Sequence, residues 1–212
     1  MGRMADRVKK RSYTSPARAA QAAQTRARVL AAASEKFLAE GYVKTSTLSI
    51  ARAAGTSEAT VFAVFGSKAE LLMEVILHDI RNAPDFPVGE LSPWEGLIGP
   101  DHREAAAARM AAVVRGVMDR SWRSRAVAAA AAAVDDAVRD LHRRGARSRH
   151  WGALWFAREI LQLPENQLEH AADAIWALMS VDNYRALVLD RGWSGDQYEA
   201  WMAATVLAVT GV

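Results

Sequence analysis

The 212-residue chain has the composition of a folded protein, with 51% hydrophobic and 24% charged residues, which excludes an intrinsically disordered chain. The absence of cysteine excludes disulfides, thiol catalysis and thiolate metal sites. The histidines show no i, i+4 pair, so we predict no metal ion and no other cofactor. No apolar run approaches the roughly 20 residues that cross a bilayer, and we expect a cytoplasmic protein with no membrane partner.

The net charge of +3 conceals an asymmetry along the chain. Residues 1–82 carry 13 Lys and Arg against 7 Asp and Glu, whereas residues 83–212 carry 14 against 17. Residues 1–23 are basic and contain few large apolar side chains, which predicts a flexible arm that cannot fold alone. Such an arm could be only a solvated tail. Phosphate binding becomes the better interpretation if a DNA-docking module follows it.

Apolar residues recur at three- and four-residue spacing along residues 24–82, which predicts helices rather than strands. The first helix ends at Gly41, and two short helices follow it. Hydroxyl side chains precede the short helices as candidate N-caps, with Thr45 and Ser46 before the first and Ser57 before the second. Two short helices joined by a glycine turn predict a helix-turn-helix, whose second helix can enter the major groove of DNA.

A longer helix links this domain to the rest of the chain and opens at a capping box of Ser67 and Glu70. Residues 83–101 hold four of the six prolines and mark the boundary between two units. The remainder is predicted as a bundle, whose helices cover residues 103–119, about 123–144 up to Gly145, a stretch ending at Leu161, one opened by Pro164 and one capped by Ser194 with Gln197.

Four segments make residues 25–77 similar to the TetR (tetracycline-repressor) family of bacterial transcription factors: "TRARVLAAASEKFLAEGY", "TSTLSIARAAG", "TSEATVF" and "FGSKAELL". Residues 171–203 resemble the C-terminal halves of some members more weakly. The resemblance implies an all-α fold, in which an N-terminal helix-turn-helix three-helix unit with its linking helix (24–82) is joined to a C-terminal effector-binding and dimerisation bundle (83–212). It implies a homodimeric repressor, not an enzyme, that binds a palindromic operator in double-stranded DNA and is released by a small molecule.

The resemblance also places the DNA contacts. It assigns phosphate or base contacts to residues of the two short helices and to the following lysine: Ser46, Ser57, Glu58, Thr60, Phe62, Ala63 and Lys68. Ser46 and Ser57 could be only caps, although capping and phosphate contact are compatible. Phe62 stands where many members have a tyrosine and cannot donate to phosphate. Glu58 replaces a frequent lysine or small residue, and phosphates repel its carboxylate unless it accepts from a cytosine amino group.

The recognition helix, which is the second helix of the pair, therefore carries no positive charge of its own. We expect the basic arm to supply the missing positive charge. Its cationic residues would follow the DNA backbone or enter the minor groove: Lys9, Lys10, Arg11 and Arg18. Each phosphate that the arm neutralises contributes about 0.9 to the slope of log affinity against log salt concentration.

All seven tryptophans lie beyond residue 83. They could simply fill a core of small alanines. Alternatively, a pocket between helices holds a largely apolar effector, and we predict its lining as Met110, Met118, Trp122, Trp151 and Trp155. The last two long helices carry wide apolar stripes that the resemblance assigns to the dimer interface: Ile175, Met179, Tyr198, Trp201, Met202, Thr205, Val206 and Val209.

Two other functions stay open on the sequence alone. The chain could be an all-helical enzyme or small-molecule carrier, although it contains neither a G-x-x-x-x-G-K phosphate loop nor a G-x-S-x-G nucleophile elbow. It could also be a ligand-independent DNA-binding protein with a solid interior. Binding of two protomers to a palindrome distinguishes a regulator from a carrier, and an interior cavity argues against the solid body.

Overall fold

The computed structural model describes residues 16–81 and 94–211, which form helices and turns without a strand. The helices are α1 (Pro16–Lys44), α2 (Thr47–Ala53), α3 (Glu58–Phe65), α4 (Lys68–Arg81), α5 (Arg103–Ala132), α6 (Asp136–Trp155), α7 (Glu165–Leu178), α8 (Val181–Tyr184) and α9 (Gly195–Val209). A 3₁₀ turn, Pro100–His102, precedes α5, and π-helical turns extend α6 over Phe156–Ile160 and α8 over Arg185–Asp190. No helix in the described ranges has the length and hydrophobicity that crossing a bilayer requires.

The N-terminal helix begins earlier than predicted. Pro16, a residue suited to the first turn of a helix, opens α1, so the predicted flexible arm is wrong for residues 16–23, which are helical and exposed. Arg18 therefore lies on α1, whereas Lys9, Lys10 and Arg11 lie outside the described residues. Gly41 adopts a φ of 76°, the conformation of a helix-ending glycine, and a last helical turn follows it up to Lys44.

The cap predictions are confirmed in part. Ser46 accepts from the Ser49 amide at 3.0 Å, and Ser57 accepts from the Thr60 amide at 3.1 Å. Thr45 is instead buried and donates to the Gly41 carbonyl at 2.8 Å.

The capping box at α4 is half correct. The Glu70 amide donates to the Ser67 hydroxyl at 3.1 Å as predicted. The Glu70 carboxylate accepts from the same hydroxyl at 2.9 Å rather than from the Ser67 amide, which donates to the Phe65 carbonyl. At the other end of the chain, the box of Ser194 and Gln197 is complete.

The predicted break near residue 120 is wrong, because α5 runs uninterrupted through it. Ser121 donates to the Val117 carbonyl at 2.7 Å, and this bond within the helix satisfies the hydroxyl without making it a cap. The real corner follows Ala132, where Asp135 caps α6 by accepting from the Val138 amide at 3.1 Å. Gly145 lies inside α6 and ends no helix.

The buried side chains form two cores, and α5 contributes to both. The front core unites α1 to α4 around Phe37, Ile50 and Leu72, and it also includes Ala128 and Ala131 from the end of α5. Alanines at these positions let the α5 backbone approach the front helices closely. The body core contains the rest of α5 packed against the following helices, around Met118, Phe156, Leu168, Ile175 and Tyr198. The two units on either side of the proline-rich segment therefore share the front core.

Candidate nucleic-acid interface and interior cavity

The helix pair α2 and α3 leaves one polar edge uncovered. The turn between them is closed by the Thr56 amide, which donates to the Ala51 carbonyl at 3.0 Å. On α3, Val61 and Phe65 face the front core and are buried. The opposite edge is exposed, and the predicted contact residues on it or partly exposed beside it are Ser46, Ser57, Glu58, Thr60, Phe62 and Ala63. All six residues are therefore exposed or partly exposed along α3 and at the start of α2.

Phe62 and Glu58 differ in how they meet solvent. Phe62 is 46% exposed, which is unusual for a large apolar side chain, so its ring is available to contact a partner. The Glu58 carboxylate accepts a hydrogen bond from the Thr47 hydroxyl, which ties the start of α3 to the start of α2. Sequence reasoning missed Thr47, because no local pattern joins residues eleven positions apart on two helices. Thr60 and Ser57 share a hydroxyl hydrogen bond of 2.8 Å at the N-terminus of α3.

Lys68 is partly engaged within the protein. Its ammonium donates to the carbonyls of Tyr42 and Thr45 at 3.0 and 3.1 Å and lies 4.0 Å from the centre of the Tyr42 ring. Burial lowers the pKa of Lys68, and the charge of Asp135 opposes that shift. An ammonium has three donors, so one N–H is left for a phosphate. Lys68 fixes the start of α4 against the end of α1 before it contacts any partner.

Tyr42 connects this surface to the body. Its hydroxyl donates to the Asp135 carboxylate at 2.8 Å, and Asp135 is the residue that caps α6. The hydrogen bond from Tyr42 is the largest cause that lowers the pKa of Asp135, followed by the hydrogen bond from the Val138 amide. Burial is the main cause that raises the pKa of Tyr42, with the same carboxylate adding to it. The partners are 93 positions apart, so no sequence signal revealed them.

Replacing Tyr42 by phenylalanine is expected to destabilise the protein by about 1 kcal/mol at pH 7, because a largely solvated carboxylate loses one donor. The folded-state pKa of Asp135 lies below its ordinary value of about 3.8, so this contribution is present above that value and is lost as the pH falls through the folded-state pKa. Urea unfolding of both proteins from pH 7 to pH 3 measures it. The two stabilities should converge in acid, and a constant difference would contradict the coupling.

A cavity of about 990 Å³ lies between the front helices and the body. Met110 and Met118 of α5 and Trp155 of α6 line it, together with apolar side chains such as Ile80 and Phe156. Its presence argues against a DNA-binding protein with a solid interior.

Two predicted lining residues lie elsewhere. Trp151 is 55% exposed and does not belong to the cavity wall. Trp122 packs against the body core, with the Arg123 guanidinium 5.3 Å from its ring.

The cavity also reaches the front domain. Val64 and Phe65 of α3 belong to its wall, as do Arg26 of α1 and Glu74 of α4. Arg26 pairs with Glu74 at 2.5 Å and lies 4.6 Å from the centre of the Phe65 ring. The cavity wall therefore includes residues of the recognition helix as well as residues of the body.

The predicted dimer residues divide into three groups. Ile175, Tyr198, Met202 and Val206 are fully buried within one protomer, so assigning them to a dimer interface is wrong. The apolar stripe of each helix packs against the body core. The sequence alone does not distinguish apolar residues that pack within the protomer from those that contact a second subunit. Met179 lines the cavity, whereas three residues of α9 stay partly exposed: Trp201, Thr205 and Val209.

Residues 29–75 match the family model of bacterial regulatory proteins of the tetR family. The N-terminal domain is a TetR-family domain. The matched segment contains α2, α3 and most of α4, so the uncovered edge of the helix pair lies within the part of the chain that matches the tetR-family model. No curated protein matches the chain significantly.

Solved structures of regulators share the fold over most of this chain. NalD, the secondary repressor of the MexAB-OprM multidrug efflux pump in Pseudomonas aeruginosa, superposes with a TM-score of 0.63 and 23% identity over 88% of this chain and 96% of NalD. A TerR/AcrR-family regulator from Aquifex aeolicus gives 0.61 and 16% over 87% and 99%. A Saccharomonospora viridis protein in complex with choline gives 0.56 and 18% over 87% and 96%. At these identities the likeness establishes the fold.

Proposed function

We propose that this TetR-family regulator is a repressor that binds a palindromic operator as a homodimer and leaves it when a small molecule fills the cavity. The observation that supports the proposal is that one cavity has walls from both units, with Val64 and Phe65 on the front side and Met118 on the body side. A ligand shifts a conformational equilibrium only through its different affinities for the two states. A change from 1:99 to 99:1 requires about 5.5 kcal/mol.

The DNA contacts follow from the uncovered edge. The Ser57 and Thr60 hydroxyls lie at the N-terminus of α3, where amide groups and the helix dipole favour a phosphate. Ser46 has the same position on α2, and the remaining N–H of Lys68 can reach the backbone beside it. Because α3 contains Glu58 and no basic residue, the basic arm supplies the missing charge.

Phe62→Tyr is expected to tighten operator binding by about tenfold to a hundredfold if the ring lies beside a phosphate. The new hydroxyl would donate to a charged acceptor, a bond of about 1.5–3 kcal/mol, and the exposed ring position tolerates it. Fluorescence anisotropy with labelled operator measures the change. Phe62→Leu, which adds no donor, is the control, and an unchanged affinity in a folded Phe62→Tyr variant would place the ring away from the backbone.

Homodimerisation would use the outward faces of α7 and α9. The face available on α9 combines the partly exposed predicted residues with a row of small ones: Trp201, Thr205, Val209, Ala200, Ala204 and Ala208. A two-fold axis there would present two copies of α3 to half-sites about 34–36 Å apart, which is one turn of DNA. Such a repressor acts on chromosomal DNA in the cytoplasm and needs no catalytic residues.

The proposal is tested by selecting bound fragments from genomic DNA and titrating the purified protein against the recovered site. We expect an approximately palindromic site that saturates at two protomers, and genes beside it that indicate the class of effector. An enzyme or carrier would show no site preference at low ionic strength. A preferred site that saturates at one protomer would retain DNA binding and contradict the dimer.

A further inference from the structure

The cavity has a basic region within its apolar wall. Arg125 of α5 and His142 and Arg149 of α6 all line it, and His142 and Arg149 lie two helical turns apart on one face of α6. The acidic residues on the same wall are Glu70, Glu74 and Asp182. Charged groups in an apolar wall are costly unless a counter-charge or hydrogen bonds satisfy them.

The acidic residues do not neutralise the two arginines. Glu74 pairs with Arg26, and Glu70 accepts from the Ser67 hydroxyl. Asp182 raises the pKa of His142 but forms no ion pair of 4 Å or less with either Arg125 or Arg149. Within the described residues, both guanidinium groups therefore lack a carboxylate partner.

The hydrogen bonds of the two arginines are also incomplete. Arg125 donates through Nε to the neutral Ser121 hydroxyl at 3.0 Å. In the part of the chain that the structure describes, the Nε of Arg149 is buried and has no hydrogen-bond partner. A buried donor without an acceptor costs free energy, and native proteins rarely retain one unless another molecule satisfies it.

The electrostatics of the region agree with this geometry. Burial lowers the pKa of Arg125 to about 10, and the charge of Arg149 adds to the shift. Burial also lowers the pKa of Arg149. The pKa of His142 falls through burial and through the charges of both arginines. One bound anion would stabilise the charged forms of all three groups and so oppose the lowering of their pKa values.

We propose that the cavity binds an organic oxyanion, with a carboxylate or phosphate head held between Arg125 and Arg149 and an apolar body along Met110, Met118 and Trp155. The proposal rests on the cavity being the effector site and adds the chemical class of the effector. Guanidinium groups suit both heads, because their paired N–H groups match two oxygen atoms. The same charges oppose a quaternary ammonium such as the choline bound by the Saccharomonospora viridis protein.

Calorimetric titration of the full chain without DNA tests the ligand class with four probes that have an alkyl tail of nine or ten carbons and different head groups. Decanoate and decyl phosphate carry an oxyanion, decanol is neutral and decyltrimethylammonium is cationic. We expect the better oxyanion to bind at least about tenfold more tightly than decanol, and the cation to bind most weakly. The comparison between decanoate and decyl phosphate decides which head fits. Equal affinities for decanol and both oxyanions, or tighter binding of the cation, would overturn the proposal.

Two variants assign the head-group site. Arg149→Met keeps an unbranched apolar side chain but removes the guanidinium, so it should remove the preference for oxyanions while leaving decanol affinity unchanged, and Arg125→Met should act likewise. Arg143→Met is the matched control, because Arg143 is an exposed arginine of α6 paired with Asp140 and lies outside the cavity. Retention of the oxyanion preference in both cavity variants would refute the assignment, and unfolding curves verify that each variant is folded.

Operator binding is measured separately, so that the experiment distinguishes a wrong ligand class from a wrong regulatory mechanism. Tight decanoate binding without release of DNA supports the oxyanion site and contradicts ligand-released repression. Release of DNA by decanol as effectively as by the oxyanions would retain the mechanism and overturn the ligand class.

Discussion

Replacing Phe37 by alanine is expected to lower the free energy of unfolding by about 3–5 kcal/mol, a large part of the 5–15 kcal/mol that holds an ordinary domain folded. Phe37 is 1% exposed at the centre of the front core, and its ring stacks on Tyr42 with 5.8 Å between ring centres. The truncation removes apolar packing and leaves a void beside the residue that contacts Lys68 and Asp135. We therefore also expect weaker operator binding.

Leu38→Ala is the matched control for this prediction. Leu38 is the next residue of α1 and is 42% exposed, so its truncation should cost less than about 1 kcal/mol. Urea unfolding followed by circular dichroism measures both variants. Equal reductions in stability for the two would contradict the placement of Phe37 in the front core.

Replacing Lys9, Lys10 and Arg11 together by glutamine is expected to weaken operator binding several hundred-fold at about 0.1 M salt. If each of the three cations neutralises one phosphate, their removal lowers the slope of log affinity against log salt concentration by about 0.9 for each, or about 2.7 in all. Between about 1 M and 0.1 M salt, this difference in slope amounts to a several hundred-fold difference in affinity. The effect is large because α3 has no basic residue. Adding Arg18→Gln, on the exposed first turn of α1, should remove about 0.9 more if this arginine also binds a phosphate.

The control for the arm is a triple variant with the same change of net charge elsewhere, Arg143, Arg147 and Arg191 to glutamine, all on the body and away from the helix pair. Anisotropy titrations from 0.05 to about 0.5 M salt should give it the wild-type slope. Equal slopes for the arm variant and the wild type would remove the arm from the DNA interface.

Local patterns predicted the front domain well. Caps such as Ser46 and Ser57 and the stop at Gly41 depend on residues within one helical turn, and the structure shows each of them. The exposed edge of α3 followed from the same spacing, since Val61 and Phe65 had to face inward. By contrast, the predicted break near residue 120 is absent, because α5 runs without interruption from Arg103 to Ala132.

Long-range partners could not be predicted in this way. The bond between Tyr42 and Asp135 joins side chains 93 positions apart, and the basic region of the cavity arises only when α5 packs on α6. Both Arg125 and Arg149 resemble ordinary charged surface positions in the sequence. The dimer prediction failed at Tyr198 and Met202 for a related reason, because hydrophobicity indicates burial without naming the surface that provides it.

The contribution of α5 to the front core limits how such proteins can be recombined. Ala128 and Ala131 complete the packing of α1 and α4, and Val138 of α6 joins them. A chimeric regulator that exchanged sensing units at the proline-rich segment would separate these three side chains from their neighbours. Fusion points that keep the corner between α5 and α6 together with α1 to α4 of the same parent should give more stable hybrids.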